Sequence, residues 1–134
     1  MPSNIDYHVG EKPDTREVIA LFDASGIRRP TGEPERIAKM FAAHCLVVSA
    51  RANGRLVGVS RALTDDVYCC YLSDLAVDRA YQDRGIGREL VRLTREAVGE
   101  AVSVVLVAAP DAVGFYSKAG FELCDRAFVV HRTR

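Results

Sequence analysis

The stretch from Val67 to Val98 constrains this chain more than any other, because it dictates a strand, a glycine loop and a helix in immediate succession. "VYCCYLSDLAV" is apolar on both alternating faces apart from Ser73 and Asp74. A strand of that kind is covered on both sides and belongs in the middle of a sheet. "DRAYQDRGIG" then breaks the apolar pattern with charge and two glycines. Gly85 and Gly87 suit a backbone that must bend tightly or come close to a ligand. Beyond them Ile86, Leu90, Leu93, Thr94 and Ala97 stripe one face of a helix, with Arg88, Arg92, Arg95 and Glu96 on the other. The start of that helix aims unpaired N–H groups and a partial positive charge into the loop, which suits an anion.

The flanking sequence supplies the rest of a mixed α/β domain. Residues 4–9 read as a short first strand. "PDTREVIALFDASG" reads as a helix, with Asp14 and Glu17 spaced as a capping box and Gly26 as its stop. "TGEPERIAKMFAAH" reads as a second, since Ile37, Met40, Phe41 and His44 recur at helical spacing. "CLVVSARANGRLVGVSRAL" reads as two strands joined at Asn53-Gly54, and Asp65-Asp66 makes a further turn. After the central helix, which Gly99 ends, "SVVLVAA" is a β-rich buried strand. Pro110 opens a short helix, "DAVGFYSKAG", that Gly120 caps, and "FELCDRAFVVHR" closes the chain as one or two strands. The order is mostly antiparallel strands first and a β-α-β unit second, in one domain over residues 1–134 with no repeat or linker.

Composition excludes several function classes. The chain is 49% hydrophobic and 27% charged with zero formal net charge, which builds a core but argues against nucleic acid or an anionic membrane as partner. Cys45, Cys69, Cys70 and Cys124 lack metal-ligand spacing, and the adjacent Cys69 and Cys70 point to opposite faces of a strand. No metal is expected, and the cysteines read as small buried apolar residues in a reducing compartment. His8, His44 and His131 are scattered with no ligand pattern. "MPSNIDYHVGEKPD" lacks the apolar run of a signal peptide, and "AVSVVLVAAP" is too short to span a bilayer. A cytoplasmic location is the expectation.

Three phosphate-binding loops compete for "QDRGIGREL". A P-loop needs Gly-Lys-Ser/Thr, which is absent, and a dinucleotide fingerprint needs a third glycine where Leu90 stands. A Gln/Arg-x-x-Gly-x-Gly/Ala loop after a strand ending in Val fits through Gln82, Gly85 and Gly87. There, successive backbone N–H groups form a nest around a pyrophosphate, and the helix N-terminus extends it.

"YLSDLAVDRAYQDRGIGRELV", followed about twenty-five residues on by "FYSKAGF", resembles the GCN5-related N-acetyltransferase (GNAT) superfamily. The resemblance is good over residues 45–130, and the two N-terminal helices match by order and length. It implies an acyl-CoA N-acyltransferase fold: a central mixed, mostly antiparallel sheet with a splayed parallel strand pair and helices on both faces. It further implies that Gln82, Asp83, Arg84, Gly85, Ile86, Gly87 and Arg88 hold the pyrophosphate of coenzyme A. The pantetheine arm would lie along Leu75, Ala76 and Val77, across from residues 107–109, with Asp111, Phe115 and Tyr116 beside it. Many members carry Asn seven residues before the Tyr; here that position is Ala109, which leaves backbone groups or Asp111 to bind the pantetheine.

The chemistry follows from those positions. A thioester carbonyl gains negative charge during acyl transfer, so the Leu75 N–H is the expected oxyanion donor. Tyr116 is placed by the resemblance to protonate the departing thiolate, with Phe115 as the neighbouring core aromatic. Asp74, on an otherwise apolar strand, is the candidate base, directly or through water, against a structural role bonded to loop N–H groups. Ser73 could relay a proton through water. Arg28 and Arg29, in the loop between the first two helices, could pair with a carboxylate or phosphate on the acceptor, against a plain exposed role. The expected activity is transfer of acetyl from acetyl-CoA to a primary amine of a small molecule or peptide. The alternatives are a non-catalytic acyl-CoA-binding sensor or protein-interaction module, and a nucleotide-binding α/β domain. C-terminal strands in such folds often pair across subunits, so a homodimer is compatible with this reading.

Overall fold

A computed structural model describes residues 4–134. The first strand, β1 (Ile5–Val9), leads into α1 (Thr15–Ser25). Asp14 caps that helix through the Glu17 N–H at 3.0 Å, and Glu17 reciprocates to the Asp14 N–H at 3.3 Å. Gly26 ends it in the left-handed region at φ 83°. The second helix, α2 (Pro34–Ala42), is shorter than the sequence predicts. Pro34 fixes its start, and its end at Ala42 removes His44 from the buried stripe. His44 is exposed instead, with Nε2 3.5 Å from Asp66 Oδ2.

Strands β2 (Leu46–Ala52) and β3 (Arg55–Thr64) are joined at Asn53-Gly54, both at positive φ, as the tight hairpin demands. The turn to β4 (Cys69–Val77) is held by Asp65, whose Oδ1 accepts from the N–H groups of Val67, Tyr68 and Cys69 at 2.8–3.1 Å. After a short 3₁₀ turn at Arg79–Tyr81 comes α3 (Ile86–Val98), ended by Gly99 at φ 85°. The last strand, β5 (Ser103–Val105), precedes a 3₁₀ turn at Pro110–Ala112 and the short helix α4 (Val113–Lys118).

The sheet order is β1-β2-β3-β4-β5, antiparallel except for the final β4–β5 pair. Its two faces carry separate layers. On one, Val18, Leu21 and Phe22 of α1 and Ile37 and Phe41 of α2 pack on Val47, Val59 and Ala76. On the other, Ile86 and Leu90 of α3 pack on Val48, Ala50 and Val57, and Val91 and Val98 pack on Ala62, Cys70 and Leu72. Gly58 of β3 lets α3 sit close, since a Cβ there would lie 3.1 Å from side-chain atoms of Ile86 and Leu90. Ser60 and Thr94 join sheet and helix across this layer at 2.7 Å. The fold is therefore the mixed α/β arrangement expected, but β4 is the next-to-last strand and not fully covered: Cys69 and Tyr71 are exposed at its start, where one face carries no helix, and only its later residues lie between the two layers.

Two expected strands are altered. "SVVLVAA" forms a ladder only over Ser103–Val105, because β4 diverges and offers the later residues no partner. "FELCDRAFVVHR" forms no strand: a turn at residues 125–126 separates two unpaired arms, and residues 122–134 are exposed. Backbone with strand propensity but no neighbour has nothing to pair with. Among the cysteines only Cys70 is buried; Cys45 is half-buried, and Cys69 and Cys124 are exposed. The expectation that they are buried apolar residues holds for one of the four.

Candidate active site

The divergence of β4 and β5 creates the site. Their register runs Cys69 to Ser103, Cys70 to Val104 and Tyr71 to Val105, and then stops. From Leu72 to Val77, β4 continues with no strand on that side among the described residues. Leu75, Ala76 and Val77 thus lie where β4 has a neighbour on one side only.

At the end of this opening the 77–88 segment is held rigidly. Asp78, which is buried, accepts from the Ala80 N–H at 2.9 Å and from Arg55 Nη2 at 2.8 Å. The Gln82 side chain folds back to donate to the Val77 carbonyl at 2.9 Å, so it closes the loop onto the strand end. Asp83 and Gly85 both take left-handed φ values, 65° and 83°, and curl the intervening backbone. The helix that follows has no side-chain cap. Among the described residues, the N–H groups of Asp83 to Arg88 have no acceptor from the protein. A run of backbone donors backed by a helix N-terminus fits a pyrophosphate on the chemistry of its donors.

Gly87 behaves differently from Gly85. A Cβ on Gly87 would stand 3.4 Å from Phe115 Cζ and 3.7 Å from Val77 Cγ2. Its small size seats α4 against the loop. Arg88 ties the same two elements, donating from Nη2 to the Lys118 carbonyl at 2.9 Å, and Arg84 lies over the Tyr81 ring at 5.0 Å. Asp111 is exposed in the turn before α4.

Tyr116 and Leu75 pack against the same buried cluster. The Tyr116 ring meets Phe115 and Phe121 edge-on, with centroids 5.0 and 5.6 Å away. Burial pushes its phenol up from the usual value, and the Arg29 charge opposes part of that rise. Phe115 is not the core aromatic expected: it is 37% exposed, while Tyr116 is the partly buried ring packed on the core cluster. The short helix turns Phe115 outward to meet Gly87.

Asp74 is fully buried, and its partners are not the loop N–H groups the sequence suggested. One carboxylate oxygen accepts from Arg29 Nε and the other from Arg61 Nε. Arg29 also donates to the Ser73 carbonyl at 2.8 Å, and Arg61 to the Ser73 hydroxyl at 3.2 Å and the Met40 carbonyl at 3.3 Å. These bonds fall where the β3–β4 register slips by one residue, with Arg61 opposite Asp74 but Ala62 opposite Leu72. The two arginines therefore grip the bulge at Ser73 and Asp74. Arg29 is folded inward, whereas Arg28 is exposed. Sequence reasoning missed Arg61; the signal was an arginine inside the apolar strand "LVGVSRAL", a position that requires a buried counter-charge.

Comparison with known proteins agrees with this geometry. The profile of the family described as "Acetyltransferase (GNAT) domain" matches residues 24–134, so the chain belongs to the GNAT acetyltransferase family. It is 29% identical over 128 residues to a probable acetyltransferase, TAP2, of Glycine max, covering 88% of this chain and 52% of that one. The chain spans about half the length of the curated relatives it matches. In fold it superposes on a probable acetyltransferase from methicillin-resistant Staphylococcus aureus with a TM-score of 0.85 at 21% identity, covering 98% of this chain and 100% of that one. An aminoglycoside N-acetyltransferase, AAC(6')-Iy, solved with CoA, matches with a TM-score of 0.72 at 15% identity, covering 100% of this chain and 98% of that one. No helix among the described residues is long and apolar enough to cross a membrane.

Proposed function

We propose that this chain is an N-acetyltransferase that moves acetyl from acetyl-CoA to a primary amine by direct attack, working as one domain in the cytoplasm. The observation that carries this reading is the opening beside Leu75–Val77, with unpartnered N–H groups at its end and Tyr116 packed on the same buried cluster as Leu75. The fold shared with a CoA-bound aminoglycoside acetyltransferase supports the same donor and a small-molecule amine acceptor.

Acetyl-CoA supplies an activated thioester. In this reading, the N–H groups of residues 83–88 bind its pyrophosphate, while Arg84 and Arg88 offset the charge. The Leu75 N–H donates to the thioester oxygen as it becomes anionic. Tyr116 gives its proton to the departing sulfur. Asp74 is an anchor: each of its oxygens already accepts from a guanidinium, and taking a proton there would break one of those bonds. The amine's proton leaves through water, with Ser73 limited to relay. Two copies associate through residues 122–134, whose Leu123, Phe128 and Val130 stand 83, 95 and 100% exposed.

Calorimetric titration with acetyl-CoA, with NAD and ATP as controls, tests the donor. Binding of acetyl-CoA alone, followed by acetylation within an amine panel, is the expected result. No binding to the folded protein would remove the proposal.

A further inference from the structure

We infer that the amine acceptor carries an anionic group, a carboxylate or a phosphate, and that Arg29 is the side chain that recognises it. The inference rests on the acetyltransferase reading and names the substrate class of the same site.

Two guanidiniums share one carboxylate, so the Arg29–Asp74–Arg61 cluster holds one positive charge in excess. Its other hydrogen-bond partners are neutral: the carbonyls of Arg28, Ser73 and Met40 and the Ser73 hydroxyl. Arg61 is also stacked over the Phe41 ring at 5.5 Å. The carboxylate of Glu33, four residues after Arg29 in the chain, is paired with Arg36 at 3.5 Å. A largely desolvated cation favours a counter-charge, and an anion arriving with the ligand supplies one.

Exposure then selects the residue. The Asp74 and Arg61 side chains are 0% and 7% exposed, whereas Arg29 is 26% exposed and is the member of the three that reaches solvent most. Its head is already fixed: Nε on Asp74, Nη1 on the Arg28 carbonyl at 2.6 Å and Nη2 on the Ser73 carbonyl at 2.8 Å. A guanidinium has five N–H donors, so some of those on its terminal nitrogens remain for a ligand. A pre-fixed arginine loses little freedom on binding and offers planar geometry to a carboxylate or phosphate. Arg28 has no such support.

The cluster grips Ser73 and Asp74, directly before Leu75, and the Arg29 charge reaches the Tyr116 phenol. An anion bound at Arg29 would place an amine of the same small molecule near the opening between β4 and β5.

The test follows the arginine Nε–H resonances of the full, arginine-labelled chain by NMR, with coenzyme A present. Phosphoethanolamine, β-alanine and ethanolamine are added at matched ionic strength. Phosphoethanolamine, β-alanine or both should move the Arg29 signal saturably in the millimolar range, while ethanolamine leaves it in place. Response to phosphoethanolamine alone assigns a phosphate, and response to β-alanine alone a carboxylate. Arg29→Gln should weaken the anionic ligand at least about tenfold, read from neighbouring amides, and Arg29→Lys should recover part of the loss. A purely structural Arg29 would change stability without changing the ranking of the three ligands. No movement of Arg29 with either anionic amine overturns the inference, as does binding unchanged in Arg29→Gln. Calorimetry separates the two readings: if acetyl-CoA fails to bind while Arg29 still responds, the acetyltransferase reading falls alone. If acetyl-CoA binds and Arg29 does not respond, only the anion site falls.

Discussion

Tyr116 shows how a side chain's surroundings set its use. Burial favours the neutral phenol, so the proposed proton donor stays protonated across neutral pH and past the ordinary phenol value of 10.0. Tyr116→Phe should lower kcat about 10²- to 10⁴-fold and leave the calorimetric Kd for acetyl-CoA unchanged. Equal turnover would remove the acid role. The same shift affects stability. The folded pKa lies above the unfolded one, so the folded chain holds the proton longer, and stability is full below pH 10.0 and falls above it. Denaturant titrations on either side of about pH 10 should therefore show a steeper alkaline loss in the parent than in Tyr116→Phe. Ser49 offers a contrast, because its buried hydroxyl has no partner among the described residues. Ser49→Ala should be neutral or stabilise by up to about 1 kcal/mol in urea unfolding, since no protein hydrogen bond is lost. At this scale the sequence revealed residue types better than their partners. Asp74 and Arg29 were both visible as candidates, but their mutual pairing depends on a loop folding back across the sheet. Arg61 was hidden because strand periodicity alone does not reveal a buried ion pair.

Elements were legible wherever the deciding interactions are local. The capping box at Asp14, the Asn53-Gly54 hairpin and the glycine stops at Gly26 and Gly99 each depend on neighbours a few residues away, and each is formed. The turn held by Asp65 is of the same kind and carries a pH signature. Three backbone N–H groups hold its carboxyl down at about 2, below the usual 3.8. Its contribution is present above the unfolded value and is lost as pH falls through the folded one. Acid unfolding between about pH 4 and 2 should show this loss in the parent, and Asp65→Asn should flatten that part of the curve. An identical acid limb in both proteins would contradict it. The extent of β5 was not legible, because its ladder ends where another strand turns away. Nor was the absence of C-terminal strands, since β propensity does not say whether a partner is there.

Across the whole molecule, residues 122–134 stand apart from an otherwise well-packed domain. Arg126 lies at the turn within that exposed segment. Dilute protein treated with trypsin should be cut first after Arg126, as identified by mass spectrometry. With the proposed association of two copies, this cut should slow as protein concentration rises, while cuts elsewhere keep their rate. Constant cleavage at every concentration would argue for a single copy. The order of the sheet has a further consequence, one of time. Strands β1 to β4 follow one another across the sheet in chain order, and β2, β3 and β4 are joined by short turns that close over small loops. The last strand pairs only after the whole of α3 has crossed, over three residue pairs, so its docking is the most expensive closure in the β2–β5 run. The opening beside Leu75 exists only once that step is complete. A chain that has collapsed around its first four strands already has most of its core but not yet that opening, so under the proposed function activity would report the end of folding, not its beginning.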